Sequence, residues 1–359
     1  MKILHTADIH IREYDDVRWQ ALEAVVALAK TNAVEVLAIS GDLFDSDADA
    51  HQLRPKIRAV FDGLPCRVLI IPGNHDAAAY SEGVFLGDSV TVIRDLLSPV
   101  DVGDITFWGF PFAELRDDEI LDLLSAAGEK ADPDRSHVLL FHGELYDIIG
   151  GWTQYGEEGR QRYMPVKLSY FQRLPFQYVL AGHFHSNFAV YEIQKDQYFV
   201  YSGSPVSVTR RETGVRSVNL FEIGNPPQPH PLNTFYFEKL SIFLDPFSTD
   251  TPNKSGLQTV AARIKEIPEN AIIQLEISGY INGKELGQTE TEFGNALKQL
   301  LSRRGGSDEI IKMEFHDIQE IISDDLFQRF KQRLKTRANE PAEKQKILDL
   351  AVKAMMTLG

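Results

Sequence analysis

The stretch Val34-Glu35-Val36-Leu37-Ala38-Ile39-Ser40-Gly41-Asp42-Leu43-Phe44-Asp45 decides the fold. Its apolar run is too short for a helix and stops at a glycine, which reads as a strand buried on both faces. A carboxylate, Asp42, stands directly past its end. The arrangement recurs on either side. Ile3–Thr6 runs into Asp8-Ile9-His10, and Arg67–Ile71 into Pro72-Gly73-Asn74-His75-Asp76. Val138–Phe141 runs into His142-Gly143, and Tyr178–Ala181 into Gly182-His183-Phe184-His185. Helical spacing over Asp16–Lys30, with Trp19, Leu22, Val26 and Ala29 in step, and over His51–Phe61 separates the first three strands.

Strand–loop–helix alternation predicts an α/β chain of layered sheets flanked by helices. Three later runs, Phe188–Tyr191, Tyr198–Ser202 and Ser217–Glu222, predict a second, more antiparallel sheet packed on the first. Gly224-Asn225-Pro226-Pro227-Gln228-Pro229-His230-Pro231 reads as a linker, because so many prolines oppose both ladder and helix. Beyond it, strand-like Phe235–Leu244, Ala271–Ile277 and Glu309–Phe315 alternate with helical Gly256–Glu266 and Thr289–Ser302. Two amphipathic helices, Asp324–Lys335 and Pro341–Leu358, close the chain. The expected division is a main domain over 1–224, a Pro-rich linker over 225–234, a small α/β capping module over 235–318 and a helical tail over 319–359.

Composition narrows the function. With 37 Lys and Arg against 52 Asp and Glu, the net charge of −15 argues against a surface that clings everywhere to nucleic acid. A single cysteine, Cys66, excludes an internal disulfide framework and a CxxC-type zinc site; it precedes a strand and is expected to be buried. No apolar stretch approaches the ~20 residues a membrane span needs. The N-terminal residues carry no apolar signal core, so a cytoplasmic location is expected.

The strand ends carry the chemistry. In α/β sheets the carboxyl ends of the strands share one edge, where ligands bind. That edge would gather Asp8, His10, Asp42, Asn74, His75, His142, His183 and His185. Buried together, carboxylates and imidazoles are unsatisfied without a cation. The donors exceed what one ion uses, so two ions are expected, with Asp42 as the natural bridge. Oxygen and nitrogen donors without thiolate suit manganese, iron or zinc. His5, inside the first strand, is expected to be a hydrogen-bonded interior residue.

In order and complete, Asp8-Ile9-His10, Gly41-Asp42-Leu43-Phe44-Asp45, Gly73-Asn74-His75-Asp76, His142 and Gly182-His183-Phe184-His185 resemble the motif set of the calcineurin-like metallophosphoesterases. Gly203-Ser204-Pro205, the small module and the helical tail resemble those of the SbcD-type DNA-repair nucleases. The resemblance implies the metallophosphoesterase sandwich fold and a nuclease, exo or endo, whose metal-bridging hydroxide hydrolyses phosphodiesters. It implies one ion on Asp8, His10, Asp42 and His185 and another on Asp42, Asn74, His142 and His183, with manganese preferred. His75 would serve the leaving oxygen rather than a metal. Asp45 would lie close by, its role open. An SMC-like, SbcC-type ATPase docking on the C-terminal helices, a homodimer and association with the nucleoid are implied in the same way.

DNA contacts are expected from basic residues flanking the last metal motif: Arg160, Arg162, Lys167 and Arg173 before it, Arg210, Arg211 and Arg216 after it. Trp152 and Tyr155 are candidates for stacking on a base or for packing under their loop. Two other readings share the motifs: a metallophosphodiesterase or phosphatase with a small substrate, and a non-catalytic scaffold stabilised by metal.

Overall fold

The computed structural model describes residues 1–81, 83–147, 163–247, 256–304, 311–337 and 340–357. It divides into two units, Met1–Phe237 and Glu238–Gly359.

The first unit begins with β1 (Lys2–Thr6), α1 (Val17–Thr31), β2 (Val36–Ser40), α2 (Asp47–Phe61), β3 (Arg67–Ile71) and β4 (Val90–Val92). It continues with β5 (Val100–Val102), β6 (Ile105–Phe110), α3 (Asp117–Lys130), β7 (Ser136–His142) and the short α4 (Leu168–Phe171). Then come β8 (Phe176–Gly182), β9 (Ala189–Gln194), β10 (Gln197–Tyr201), β11 (Ser217–Glu222) and β12 (Pro229–Pro231). The sheet orders are β12-β11-β1-β2-β3-β4 and β5-β6-β7-β8-β10-β9. This is the layered sandwich of mixed sheets that the resemblance implies.

Between the sheets lies a dry core. Ile3, Val36, Ala38, Leu69 and Ile71 from one layer meet Ile105, Phe107, Val138, Leu140 and Leu180 from the other. Burying each such side chain contributes about 1.5–3 kcal/mol. On the outer face of the first sheet, α1 and α2 pack Trp19, Leu22, Leu53 and Ile57. Asp16 starts α1 by accepting from the backbone N–H groups of Arg18 and Trp19. Ser46 caps α2 at Asp49 N, so this helix begins four residues before the apolar spacing that first reveals it at His51.

Three sequence expectations need correction. The second sheet is parallel through its interior, β6 to β7, β7 to β8 and β8 to β10. Its continuous apolar runs, Val138–Phe141 among them, are the signature of strands buried on both faces in parallel pairing. β11 belongs to the first sheet, antiparallel to β1 with Lys2 opposite Glu222 and His5 opposite Asn219. The Pro-rich segment does hold a ladder: β12 pairs with β11, placing His230 opposite Val218. It lies at the edge of its sheet, where a residue without an N–H is tolerated.

The second unit holds β13 (Tyr236–Leu244), which starts just before the boundary, α5 (Gly256–Lys265), β14 (Ala271–Ile281), α6 (Gly283–Leu286), α7 (Glu290–Ser302) and β15 (Ile311–Asp317). It ends with α8 (Gln319–Ser323), α9 (Asp325–Lys335) and α10 (Pro341–Met356). Its three strands form one sheet, β14 parallel to β15. Phe327, Leu334, Leu348 and Val352 from α9 and α10 cluster with Tyr280 and Ile318. Among the described residues, no helix is long and apolar enough to cross a membrane.

Candidate metal centre

Each loop that carries the site leaves a strand of the sandwich. Asp8 and His10 follow β1, Asp42 follows β2, Asn74 and His75 follow β3, His142 ends β7, and His183 and His185 follow β8. The first two loops are laced together by their backbones: Asp8 N donates to Gly41 O, His10 N to Asp42 O and Ile11 N to Leu43 O. His183 N donates to both carboxylate oxygens of Asp8, at 2.9 and 3.0 Å, and so ties one sheet to the other. His75 N donates to Asp42 Oδ1 at 2.9 Å.

The backbone here is strained. Asp8, His10, Asp42 and His183 adopt φ of +56°, +53°, +50° and +99°. Residues with a side chain seldom take this left-handed region, and where they do the surroundings hold them there, most often at functional sites. Gly41, at φ +91°, allows a close approach: a Cβ there would sit 2.1 Å from His142 Nδ1. Conformation and crowding thus both require glycine before Asp42.

The side chains converge. Ligand atoms of Asp8, His10 and His185, of His10, Asp42 and His75, and of Asp8, Asp42 and His142 each lie within 4.8 Å of one another. His142 Nε2 is 2.9 Å from Asn74 Oδ1 and 3.3 Å from Asp42 Oδ2. His183 Nδ1 is 3.3 Å from the same Asn74 oxygen. Asp8, His10, Asp42, His142, His183 and His185 are buried, whereas Asn74 and His75 are half-buried at the rim.

Groups behind the rings decide which nitrogen carries a proton. His142 Nδ1 lies 2.8 Å from Ser40 O, His185 Nδ1 3.2 Å from Glu212 Oε1, and His10 Nδ1 3.3 Å from Asp45 Oδ1. Each acceptor favours the proton on Nδ1 and leaves the Nε2 lone pair facing inward. Yet His10 Nε2 and His185 Nε2 lie only 3.0 Å apart, and His142 Nε2 faces a carbonyl oxygen and a carboxylate. Atoms crowded in this way need a proton or a metal cation between them. Carboxylate, amide and imidazole donors without thiolate fit a divalent metal of the manganese, iron or zinc kind.

Electrostatics in the metal-free site say the same. Burial raises the Asp8 carboxyl above its usual range. Burial also opposes the charge on Asp42, but the imidazoles of His142 and His10 overcome it and hold that carboxyl low. His142 is pushed up to about 9, because the Asp42 carboxylate outweighs the effect of burial. The buried Asp76 accepts from Gly73 N, Phe44 N and Tyr80 Oη and so ties the loops after β2 and β3. Burial first, and then the charge of Asp42, push it up to about 7.

Asp45 stands behind His10. It accepts from Arg12 Nε at 2.7 Å and Arg18 Nη1 at 2.9 Å. Although burial opposes its charge, His10 and Arg12 hold it below the carboxylate range. Glu144 and Glu212 are buried neighbours of the site that the sequence did not single out. Glu144 Oε1 is 3.6 Å from His183 Nε2, and Glu212 lies 27 residues beyond the histidine it faces. No spacing signal joins either carboxylate to the motifs. Arg210 and Arg211 are exposed beside Glu212. Arg216 is not a surface cation: it is 2% exposed and donates to the carbonyls of Ser204, His185 and Ser186. Arg160, Arg162, Trp152 and Tyr155 lie outside the described residues. His5 is fully buried, but neither ring nitrogen has a hydrogen-bond partner among the described residues, contrary to expectation. Cys66 is buried.

The chain is similar to known proteins. The DNA double-strand break repair protein Mre11 of Methanosarcina mazei is 24% identical over 357 residues, covering 91% of this chain and 54% of that protein. The SbcD component of the SbcCD nuclease of Staphylococcus saprophyticus is 24% identical over 241 residues, 59% of this chain and 63% of that one. The chain therefore spans 54% and 63% of the lengths of these curated relatives. The solved structure of TT1561 from Thermus thermophilus aligns with a TM-score of 0.43 and 14% identity over 64% of this chain and 98% of that one. The family model described as calcineurin-like phosphoesterase matches residues 1–187, the span that carries every converging donor described above. With its strand-end donors gathered as a metal-dependent phosphoesterase requires, the chain belongs to the calcineurin-like phosphoesterase family.

Proposed function

We propose that this chain is a two-metal-dependent DNA nuclease acting in DNA repair with an SMC-like ATPase. The observation that carries the reading is the buried convergence of Asp8, His10, Asp42, His142 and His185 where the strand ends of the two facing sheets meet. Asp8, His10, Asp42 and His185 would hold one ion, and Asp42, Asn74, His142 and His183 the other, manganese being preferred. When bound, such ions supply Lewis-acid polarisation of a phosphodiester and a water of lowered pKa.

The chain's own residues orient these donors and move a proton. His75 sits at the rim, its ring centroid 4.8 Å from that of His10. From there its imidazolium gives a proton to the departing oxygen. Arg18 Nη1 bridges His10 O and Asp45 and fixes the loop on which His10 stands.

Two facts favour DNA over a small diester. The match to the Mre11 protein runs through the second unit as well as the first. Both relatives are named for work on nucleic acid, one as part of a nuclease and one for DNA double-strand break repair. Arg210 and Arg211 would contact phosphates, as would Arg160 and Arg162. The module over 235–318 would position DNA. The exposed Leu326 of α9 and Leu350 of α10 suit docking of the ATPase, and a homodimer completes the proposed assembly.

The test is incubation of the purified chain with end-labelled single- and double-stranded DNA in manganese. Cleavage that disappears with chelator and in Asp42→Asn is expected. Cleavage surviving both would overturn the metal mechanism. Hydrolysis of a chromogenic diester with every DNA left intact would assign the site to a small substrate.

A further inference from the structure

We propose that Glu212 is a positioning residue for the metal centre: its carboxylate fixes the His185 imidazole with the proton on Nδ1 and the Nε2 lone pair turned toward Asp8 and His10. The proposal rests on the metallophosphoesterase reading and deepens it.

Glu212 is 2% exposed and His185 5% exposed, so their contact is shielded from water. Glu212 Oε1 lies 3.2 Å from His185 Nδ1. The carboxylate is itself held in place. Val208 N donates to Oε2 at 2.6 Å, while Thr209 N and Thr209 Oγ1 donate to Oε1 at 3.2 and 2.9 Å. Ser207 Oγ donates to Glu212 O at 2.6 Å, closing the turn on itself. An ionised carboxylate only accepts, so the proton in the contact with His185 belongs to the imidazole. His185 Nε2 is then an acceptor, and it points at His10 Nε2.

The same segment grips the histidine from a second side. Arg216 donates through Nε to Ser204 O at 3.0 Å and through Nη2 to the carbonyls of His185 and Ser186. Side chain and backbone of His185 are therefore both set by residues 204–216, a stretch that follows β10 and contributes no ligand of its own. A carboxylate behind a ligating imidazole fixes its tautomer and raises its basicity, and loss of such a partner typically weakens metal binding 10- to 100-fold. Three of these four turn bonds end on the Glu212 carboxylate itself, and only that from Ser207 Oγ, which ends on the Glu212 carbonyl, can be removed without touching the group that faces His185.

The experiment measures manganese binding by the full chain by titration calorimetry, with metal-free melting in parallel. Glu212→Gln is expected to weaken the tighter manganese association about 10- to 100-fold. Ser207→Ala, which removes the bond to the Glu212 carbonyl and leaves the carboxylate on His185, should bind manganese as the unmodified chain does. Nitrogen-15 NMR of the unmodified metal-free chain should show His185 protonated at Nδ1, a readout that survives any failure of the variants to fold. Equal manganese affinity in Glu212→Gln, or a proton on Nε2 of His185, would overturn the role of Glu212 and leave the phosphoesterase reading standing. Failure of the unmodified chain to bind manganese, zinc or iron at all would instead overturn that reading, and this role with it.

Discussion

Replacing Gly41 by alanine tests the geometry of the site most directly. The new Cβ would lie 2.1 Å from His142 Nδ1, 2.6 Å from its Cγ and 2.8 Å from its Cε1. Restoring ordinary contact moves the ring by roughly 1.3 Å. His142 is fully buried, so the ring has nowhere to retreat without giving up its 2.8 Å contact with Ser40 O. Overpacking costs about 1–3 kcal/mol, a lost buried hydrogen bond a similar amount, and a side chain at φ +91° about 1–2 kcal/mol more. A net destabilisation on the order of 4 kcal/mol lowers the melting temperature of a unit this size by about 8–16 °C. A ring displaced by ~1 Å also lowers turnover on the order of 100-fold. Gly63→Ala is the control, because Gly63 has φ +75° but nothing within 4 Å of a built Cβ. It should melt only about 2–8 °C lower, the cost of the backbone conformation alone, and keep full activity. Melting curves and hydrolysis of a chromogenic diester in manganese decide the matter. If the two alanine variants behave alike in both assays, close approach to His142 is not what demands glycine at position 41.

Other outcomes follow from the same site. With His142 at about 9, above the ordinary 6.5, the metal-free protein carries that proton at pH 7.5. Its contribution to metal-free stability is complete below pH 6.5 and is lost as pH rises through 9. A ligand must be neutral, so apparent metal affinity should climb with pH toward 9; calorimetry in buffers of different ionisation enthalpy that detects no proton release at pH 7.5 would contradict this. His75→Asn should keep bound metal while lowering turnover by about 10²–10⁴-fold, and loss of metal together with activity would make His75 a ligand instead. Arg210→Ala with Arg211→Ala should weaken DNA binding and flatten its salt dependence by roughly 2 in slope, with small-diester hydrolysis unchanged; an unaltered slope would remove both residues from the DNA path.

The ligand-bearing strands were legible because each ends abruptly in polar residues after a continuous apolar run, as Val36–Ser40 does before Gly41-Asp42. Convergence was legible because ligands gather at strand carboxyl ends, although the donors come from two facing sheets rather than from one edge. Residues 77–137 gave no reading, although β6 is buried at every position and α3 covers the second sheet. β6 mixes aromatic residues with Gly109, a pattern without a clean period. The pairing of β11 with β1 joins residues more than two hundred positions apart, a contact that no local pattern encodes. Glu144, Glu212 and the Ser40 carbonyl escaped for a related reason. They act by standing behind a ring, and that depends on side-chain direction rather than on spacing.

His142, His183 and His185 come from one layer of the sandwich, and Asp8, His10, Asp42 and Asn74 from the other. Ions seated among them would rivet the layers at one rim, while the rest of the seam rests mainly on apolar contact, with the bonds of Tyr178 Oη to Gly224 N and Asn225 O beside it. Whatever binds only the folded form stabilises it by mass action. Scarcity of the divalent metal would then shorten the lifetime of the polypeptide as well as idle its chemistry, since a seam that gapes at one end admits proteases. Cellular abundance of this protein should therefore track metal supply even at a constant rate of synthesis.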